Sequence, residues 1–275
     1  MPVITQYQSK KLIYHHTIST AADNELFNLH THILPELMFF VKGKAEQMVE
    51  NKVYHMQKND LVFVKPAVHH KITPDLSTEY ERYVLMFDPD IISGTGGEAV
   101  FETSDTINCT GGGIIPEIIK KLDYYCENFD GHSFEEIGAM LIREIFYNIS
   151  KLKSPDSSPE KLVSPLLSQA LEYINSNLYT IRSVSEISDS LYITESYLYS
   201  IFRQQLKTTP KKYINDKRLL CARRAIQSGT PPTRVYQDVG FAEYSSFYRS
   251  YAKLFGVPPS KKTHIQAITI PSENR

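Results

Sequence analysis

The sequence has no tryptophan, and its three cysteines, Cys109, Cys126 and Cys221, are scattered without a CxxC pair. An odd, unpaired set argues against a disulfide framework and a thiolate zinc site, and it fits a reducing compartment. There is no apolar signal core near the start, and no run approaches the roughly eighteen apolar residues of a membrane span. A cytoplasmic protein is expected. The marks of common catalysis are missing too: there is no GxSxG, no Walker-type P-loop and no GxGxxG after a strand. The glycine-rich pieces TGGEAVF and CTGGGII do not lead from a strand into a phosphate-binding helix, so no enzyme of these classes is expected.

What is present divides in two. The net charge of −1 hides an acidic front and a basic back. Residues 1–159 hold 14 Lys and Arg against 22 Asp and Glu, or −8, while residues 160–275 hold 16 against 9, or +7. Only the back half is expected to meet a polyanion. Between the two, residues 151–165, KLKSPDSSPEKLVSP, are rich in proline and serine with few large apolar groups, and read as a linker.

Ahead of the linker, residues 1–108 read as short strands. The pieces MFFVKG, AEQMV, KVYHM, DLVFVK, HHKI and EYERYVLMF are separated by Gly, Asn, Asp and Pro, the pattern of an antiparallel sandwich or small barrel. SDTINCTGGGIIP is a crossing, followed by helices over 116–129 and from a capping box at Ser133–Glu136 to about residue 150. The second helix carries an apolar stripe of Phe134, Ile137, Met140, Leu141, Ile145 and Ile149, available to cover the sheet or to form a dimer. The chain after the linker has helical periodicity over 166–177, 184–190, 195–206, 210–227, 233–238 and 243–255. Two stretches roughly 50 residues apart repeat the order short helix, turn, longer helix, Pro, so each reads as a helix-turn-helix.

Residues 165–265 set Tyr197, Leu198, Phe202, Pro210, Tyr213, Arg218, Ala222, Ala225, Gly240, Phe241, Phe247, Tyr251, Phe255, Gly256, Pro259 and Ser260 along these helices and turns. In these residues the stretch resembles the DNA-binding domain of AraC/XylS-type transcription regulators. The resemblance implies two recognition helices in successive major grooves, joined by the helix 210–227. The first reader would offer Glu195, Ser196, Tyr199, Ser200, Arg203 and Gln204 to bases and phosphates. The second would offer Glu243, Tyr244, Ser245, Tyr248 and Arg249, with Lys253 near the backbone. Three positions depart from the family pattern: Pro232 and Tyr236 in the second brace, and Thr208 where glycine is preferred after the first reader.

The front half holds HTHILPELMFFVKG, which sets His30, His32, Glu36 and Gly43 at the spacing HxHx3Ex6G, with His70 downstream. This is similar to the two cupin motifs, where three histidines and a glutamate hold one divalent metal. The resemblance implies either such a metal site or a polar effector pocket including Met38, and the pocket without a metal cofactor is preferred. His15, His16, His55 and His69 read as surface or packing residues.

The expected architecture is α+β. Residues 1–150 form a cupin-like effector-binding and dimerisation barrel with two helices, 151–165 a linker, and 166–265 an all-α domain with two helix-turn-helix motifs. The expected partners are double-stranded DNA, a small-molecule effector such as a sugar or other metabolite, RNA polymerase and a second copy of the chain. The alternatives are a metal-dependent cupin enzyme fused to a DNA-binding module, and a regulator whose front half only dimerises.

Overall fold

The computed structural model describes residues 3–9, 11–19, 29–75, 77–110, 113–152, 161–162, 164–261 and 270–271. Its strands are β1 (Val3–Gln8), β2 (Leu12–Ser19), β3 (His30–Thr31), β4 (Glu36–Lys42), β5 (Ala45–Val49), β6 (Lys52–His55), β7 (Asp60–Val64), β8 (His70–Pro74), β9 (Tyr80–Phe87), β10 (Thr106–Asn108), β11 (Lys161–Leu162) and β12 (Ile270–Pro271). They form two antiparallel sheets, ordered β1-β2-β9-β4-β7-β10 and β11-β6-β5-β8-β3-β12. This is the expected antiparallel N-terminal domain, and among the described residues its two sheets are not closed into a barrel.

Alternation along the central strands explains the layering. Leu37, Phe39, Leu61, Phe63 and Leu85 turn one way, into a core shared with helices α2 (Ile115–Asn128) and α3 (Gly131–Ile149). Met38, Phe40, Val62, Val64 and Val84 turn the other way, toward Val49, Tyr54 and Ile72 of the second sheet. β4 is thus covered on both faces, which is why it reads as a nearly unbroken apolar run. Asp123 pins α2 to the first sheet, accepting from Tyr14 and Tyr83 hydroxyls at 2.6 and 2.9 Å and pairing with His16 at 2.8 Å.

Several expectations need correction here. Helix α3 is capped by Asp130, whose carboxylate accepts from the His132 and Ser133 amides, so Ser133 is not its cap. Of the stripe, Phe134, Leu141, Ile145 and Ile149 are buried in the core and Ile137 partly so, whereas Met140 is 60% exposed. A short helix α1 (Glu98–Thr103) occupies part of the glycine-rich TGGEAVF stretch. The crossing contains β10, which pairs with β7, while its residues 111–112 lie outside the described set. The linker ends in β11, paired with β6. Its residues 153–160 and 163 are also outside the described set.

The C-terminal half comprises α4 (Pro165–Ser176), α5 (Ser185–Ser190), α6 (Glu195–Leu206), α7 (Pro210–Gln227), α8 (Pro232–Asp238) and α9 (Tyr244–Phe255). Serine and threonine caps start three of them, with Ser164, Thr194 and Thr209 accepting first-turn amides. Two cores flank α7. Tyr213 and Ile214 join the first, with Ile187, Leu198 and Phe202; Leu219, Ala222 and Ile226 join the second, with Val235, Phe247 and Tyr251. The eighteen residues of α7 therefore form one strut of about 27 Å between two motifs.

Candidate functional site

The two motifs present the expected flanks. On α6, Glu195, Ser196, Arg203 and Gln204 are exposed, with Tyr199 and Ser200 half-buried beside them. Gln204 Nε2 donates to Ser200 Oγ at 3.2 Å, so these two side chains are already oriented along one face. On α9, Ser245, Tyr248, Arg249 and Lys253 are exposed, as is Glu243 just before the helix. Tyr244 is placed differently. Its ring lies 5.6 Å from Tyr236 and 6.0 Å from Phe247, filling the gap between brace and reader. Tyr236, the large residue at an ordinarily small position, is accommodated by this aromatic cluster.

Each motif needs a left-handed residue in its turn and another after its reader. The second motif uses Gly240 (φ 85°) and Gly256 (φ 69°), where glycine has no steric penalty; the first uses Tyr192 (φ 54°) and Lys207 (φ 51°). The residue standing in a glycine's place after α6 is thus Lys207, not Thr208. The Lys207 amide closes the helix on the Phe202 carbonyl. A cleft of about 350 Å³ opens beside α6, lined by Arg182, Ser183, Glu195, Tyr199, Lys211 and Asn215 among others. Arg182 and Lys211 were not singled out in the sequence; they lie outside the reader helix and the fold brings them beside it.

The second candidate site lies between the two sheets. His30 and His70 are direct partners across the β3–β8 ladder, while Glu36 opens β4 in the opposite sheet. One ligating atom from each of His30, His32, Glu36 and His70 lies within 4.8 Å of the others. His32, Glu36 and His70 are buried and His30 is partly so. Met38 is 1% exposed and belongs to the apolar core beneath.

Hydrogen bonding fixes two of the imidazoles. His32 Nδ1 lies 2.6 Å from the Leu34 carbonyl and His70 Nδ1 lies 3.1 Å from the Val68 carbonyl. A carbonyl only accepts, so each Nδ1 carries a hydrogen and each Nε2 is turned to the cluster. There His32 Nε2 faces Glu36 Oε2 at 3.1 Å, and His70 Nε2 stands 3.8 Å from Oε1 with no hydrogen-bond partner among the described residues. Both Nε2 atoms thus face the carboxylate, an arrangement that a bound cation among them would suit. Burial alone would push the Glu36 carboxyl up. The His32 and His70 contacts outweigh burial and hold it well below the ordinary carboxylate range.

Three other histidines also make contacts. His16 pairs with Glu81 at 3.0 Å as well as with Asp123, and His55 pairs with Glu46 at 3.1 Å. His69 is buried between the halves and stacks on Tyr213 with centroids 4.6 Å apart. Burial pushes its pKa down to about 3, so it is neutral.

Known proteins divide the chain in the same way. Residues 13–106 match the AraC-like ligand binding domain family, and residues 187–263 match the helix-turn-helix domain family. The probable transcriptional regulator LumQ of Photobacterium leiognathi is 24% identical over 233 residues, covering 84% of this chain and 90% of its own. The lactose operon transcription activator of Staphylococcus xylosus is 21% identical over 231 residues, with 83% of each chain covered. A solved apo structure of ToxT from Vibrio cholerae spans 92% of this chain and 97% of its own at 13% identity, with a TM-score of 0.40. No helix among the described residues is long and apolar enough to cross a membrane. A ligand-binding sandwich in front and a double helix-turn-helix behind, both matched by family, mean that the chain belongs to the AraC-type family of DNA-binding transcription regulators and is not an enzyme.

Proposed function

We propose that this regulator reads DNA with α6 and α9, within residues 166–265, and senses a small-molecule effector with residues 1–150, at His30, His32, Glu36 and His70. The carrying observation is the convergence of those four groups between the sheets, in a chain whose two reader flanks are open to solvent. Arg203 supplies a fork suited to guanine, Gln204 an amide suited to adenine, and Lys253 a phosphate contact. We add Arg182 and Lys211, at the cleft beside α6, as phosphate contacts.

A second reading is favoured by His70 Nε2, which has no hydrogen-bond partner among the described residues, and by the imidazole hydrogens turned to backbone carbonyls. That is how metal-ligating histidines are oriented, with the outer nitrogen bonded and the inner one free to bind. Three imidazoles and a carboxylate suit Zn, Fe, Ni or Mn, with His30, His32, Glu36 and His70 as ligands. The ion would supply a positive charge beside Glu36, either as the signal itself or as a seat for a metabolite. Elemental analysis of untagged protein separates the readings. A metal site gives about one ion per chain, lost on His32→Ala and lost as pH falls, because protons compete for the same nitrogens. A metal-free pocket gives protein without stoichiometric metal, in which His32→Ala blunts the effector response but leaves DNA affinity of the free protein intact.

RNA polymerase and a second copy of the chain complete the proposed partners. The dimer would use the outer side of α3, where Met140 and Tyr147 are exposed two turns apart. Met140→Glu is expected to give a folded monomer by sedimentation. Ile145→Glu is expected to unfold the N-terminal half, since it buries a charge in the core. A dimer that survives Met140→Glu removes this interface.

A further inference from the structure

The contact between the halves includes a polar ring beside its apolar packing. Val49 and Lys52 pair across the β5–β6 hairpin, which leaves Glu50 and Asn51 as its tip. Glu50 has φ 53°, in a region where a hairpin ordinarily uses Gly, Asn or Asp. A glutamate persists in such a backbone when its surroundings over-determine it. Here Glu50 Oε1 accepts from Tyr213 Oη at 2.7 Å and from Lys217 Nζ at 2.6 Å, and Oε2 accepts from Asn175 Nδ2 at 3.1 Å. Lys217 gives its other protons to Asn175 Oδ1 at 2.7 Å and Tyr213 Oη at 3.2 Å, so the ammonium is saturated. Both charged side chains are nearly enclosed, 9% exposed for Lys217 and 14% for Glu50.

This ring sits one residue from the sensor cluster. The Glu50 amide donates to the His69 carbonyl at 2.7 Å, and the His69 ring stacks on Tyr213. His70, the next residue, is a cluster member and pairs with Val49. The Ala67 amide donates to the His32 carbonyl at 2.9 Å, while its side chain packs in the core of the second reader with Leu219 and Leu220. Residues 67–70 therefore touch the cluster on one side and the strut on the other.

We propose that Glu50 is the clamp by which the N-terminal half holds α7, and that Ala67–His70 carries the state of the histidine cluster to it. The proposal rests on the cluster being the effector site. A buried ion pair is a poor way to gain stability, because apolar residues of similar shape hold an interface as well. What it offers is a contact with two discrete states, made or broken, on the one helix that fixes the separation of both readers. A small shift of His70 moves His69 against Tyr213, and the ring either keeps all its bonds or loses several together.

The test uses the full chain, with hydrogen exchange of peptides spanning 213–220 and 64–70 as readouts. Glu50→Gln keeps the shape but removes the charge that compensates Lys217. Exchange of 213–220 is expected to rise about tenfold or more, and Lys217→Met should produce the same change. Unchanged exchange in both variants overturns the clamp, whatever binds the cluster. Zn2+ is then titrated, with calorimetry to register its binding. In wild type it should alter exchange in both segments and shift DNA affinity by about 5–150-fold. In Glu50→Gln it should bind equally well, alter 64–70 alone and leave DNA affinity nearly unchanged. Binding that alters 64–70 but never 213–220 in wild type overturns the relay. Absence of Zn2+ binding counts against the metal reading alone, and the clamp is then judged on the two variants.

Discussion

Replacing Arg218 with methionine is expected to destabilise the helical half by about 3–5 kcal/mol and to abolish specific DNA binding. The guanidinium lies inside α7's buried face and reaches three carbonyls. Nε donates to Leu178 at 2.7 Å, one terminal nitrogen to Gly240 at 3.0 Å and the other to Ile181 at 2.6 Å. Leu178 and Ile181 belong to the turn between α4 and α5, and Gly240 to the turn of the second motif. One side chain thus fastens both reading units to the strut. Burial pulls the Arg218 pKa down from its ordinary value, with Glu186 opposing, and an arginine still keeps its charge there. Methionine fills the stem's space but leaves three acceptors without their donors, the Ile181 carbonyl buried and those of Leu178 and Gly240 partly so. Lysine should rescue little, since one ammonium does not span three carbonyls. Gly240 is part of the same joint. A Cβ there would meet the Tyr179 carbonyl oxygen and crowd the guanidinium, at a backbone φ of 85°. Urea unfolding followed by helical and by aromatic signals will resolve the two halves. A loss below about 1 kcal/mol for Arg218→Met would show that the three carbonyls find other donors.

The helical half was legible in the sequence because its signals are local. Thr194 and Thr209 cap their helices, Pro210 starts the strut, and helices α6 and α7 span the residues that periodicity assigns. The front half was legible in many of its strands but not in all. LIYHHTIS, the β2 strand, is missing from the strand pieces read in the sequence. It carries two histidines in mid-strand, and the partners that justify one of them, Glu81 and Asp123, are far away in sequence. The α3 stripe could be read as core or as dimer surface because periodicity reports an apolar face without naming what covers it. Packing decided that Ile145 is core. Likewise the spacing of His30, His32 and Glu36 announced a cluster, but the tautomers came only with the Leu34 and Val68 carbonyls. Nothing local marks Glu50, whose four-group ring unites residues more than a hundred positions apart.

DNA affinity of the full chain should fall about 10³–10⁵-fold between 50 and 200 mM salt if six to ten phosphates are neutralised. The expectation follows from the charge division, −8 over residues 1–159 and +7 over 160–275, and from where the exposed cations lie. Arg203, Arg249 and Lys253 are exposed on the readers, and Arg182 and Lys211 flank the cleft beside α6. The isolated back half is a poor vehicle for the measurement. Leu29, Met48 and Val53 of the front half pack into its first core, so cutting the chain at residue 160 would uncover apolar surface. Among full-length variants, Lys211→Ala and Lys253→Ala should each reduce the slope of log affinity against log salt by about one, equally on specific and random duplexes. Arg203→Ala should act differently. If its fork reads a guanine, it costs about 1–3 kcal/mol on the footprinted site and little on random DNA, so the ratio of the two affinities collapses. Equal losses on both duplexes would move Arg203 to the phosphate backbone. A slope near zero for the whole chain would mean that the +7 half does not meet DNA through these cations, and the reader assignment would go with it.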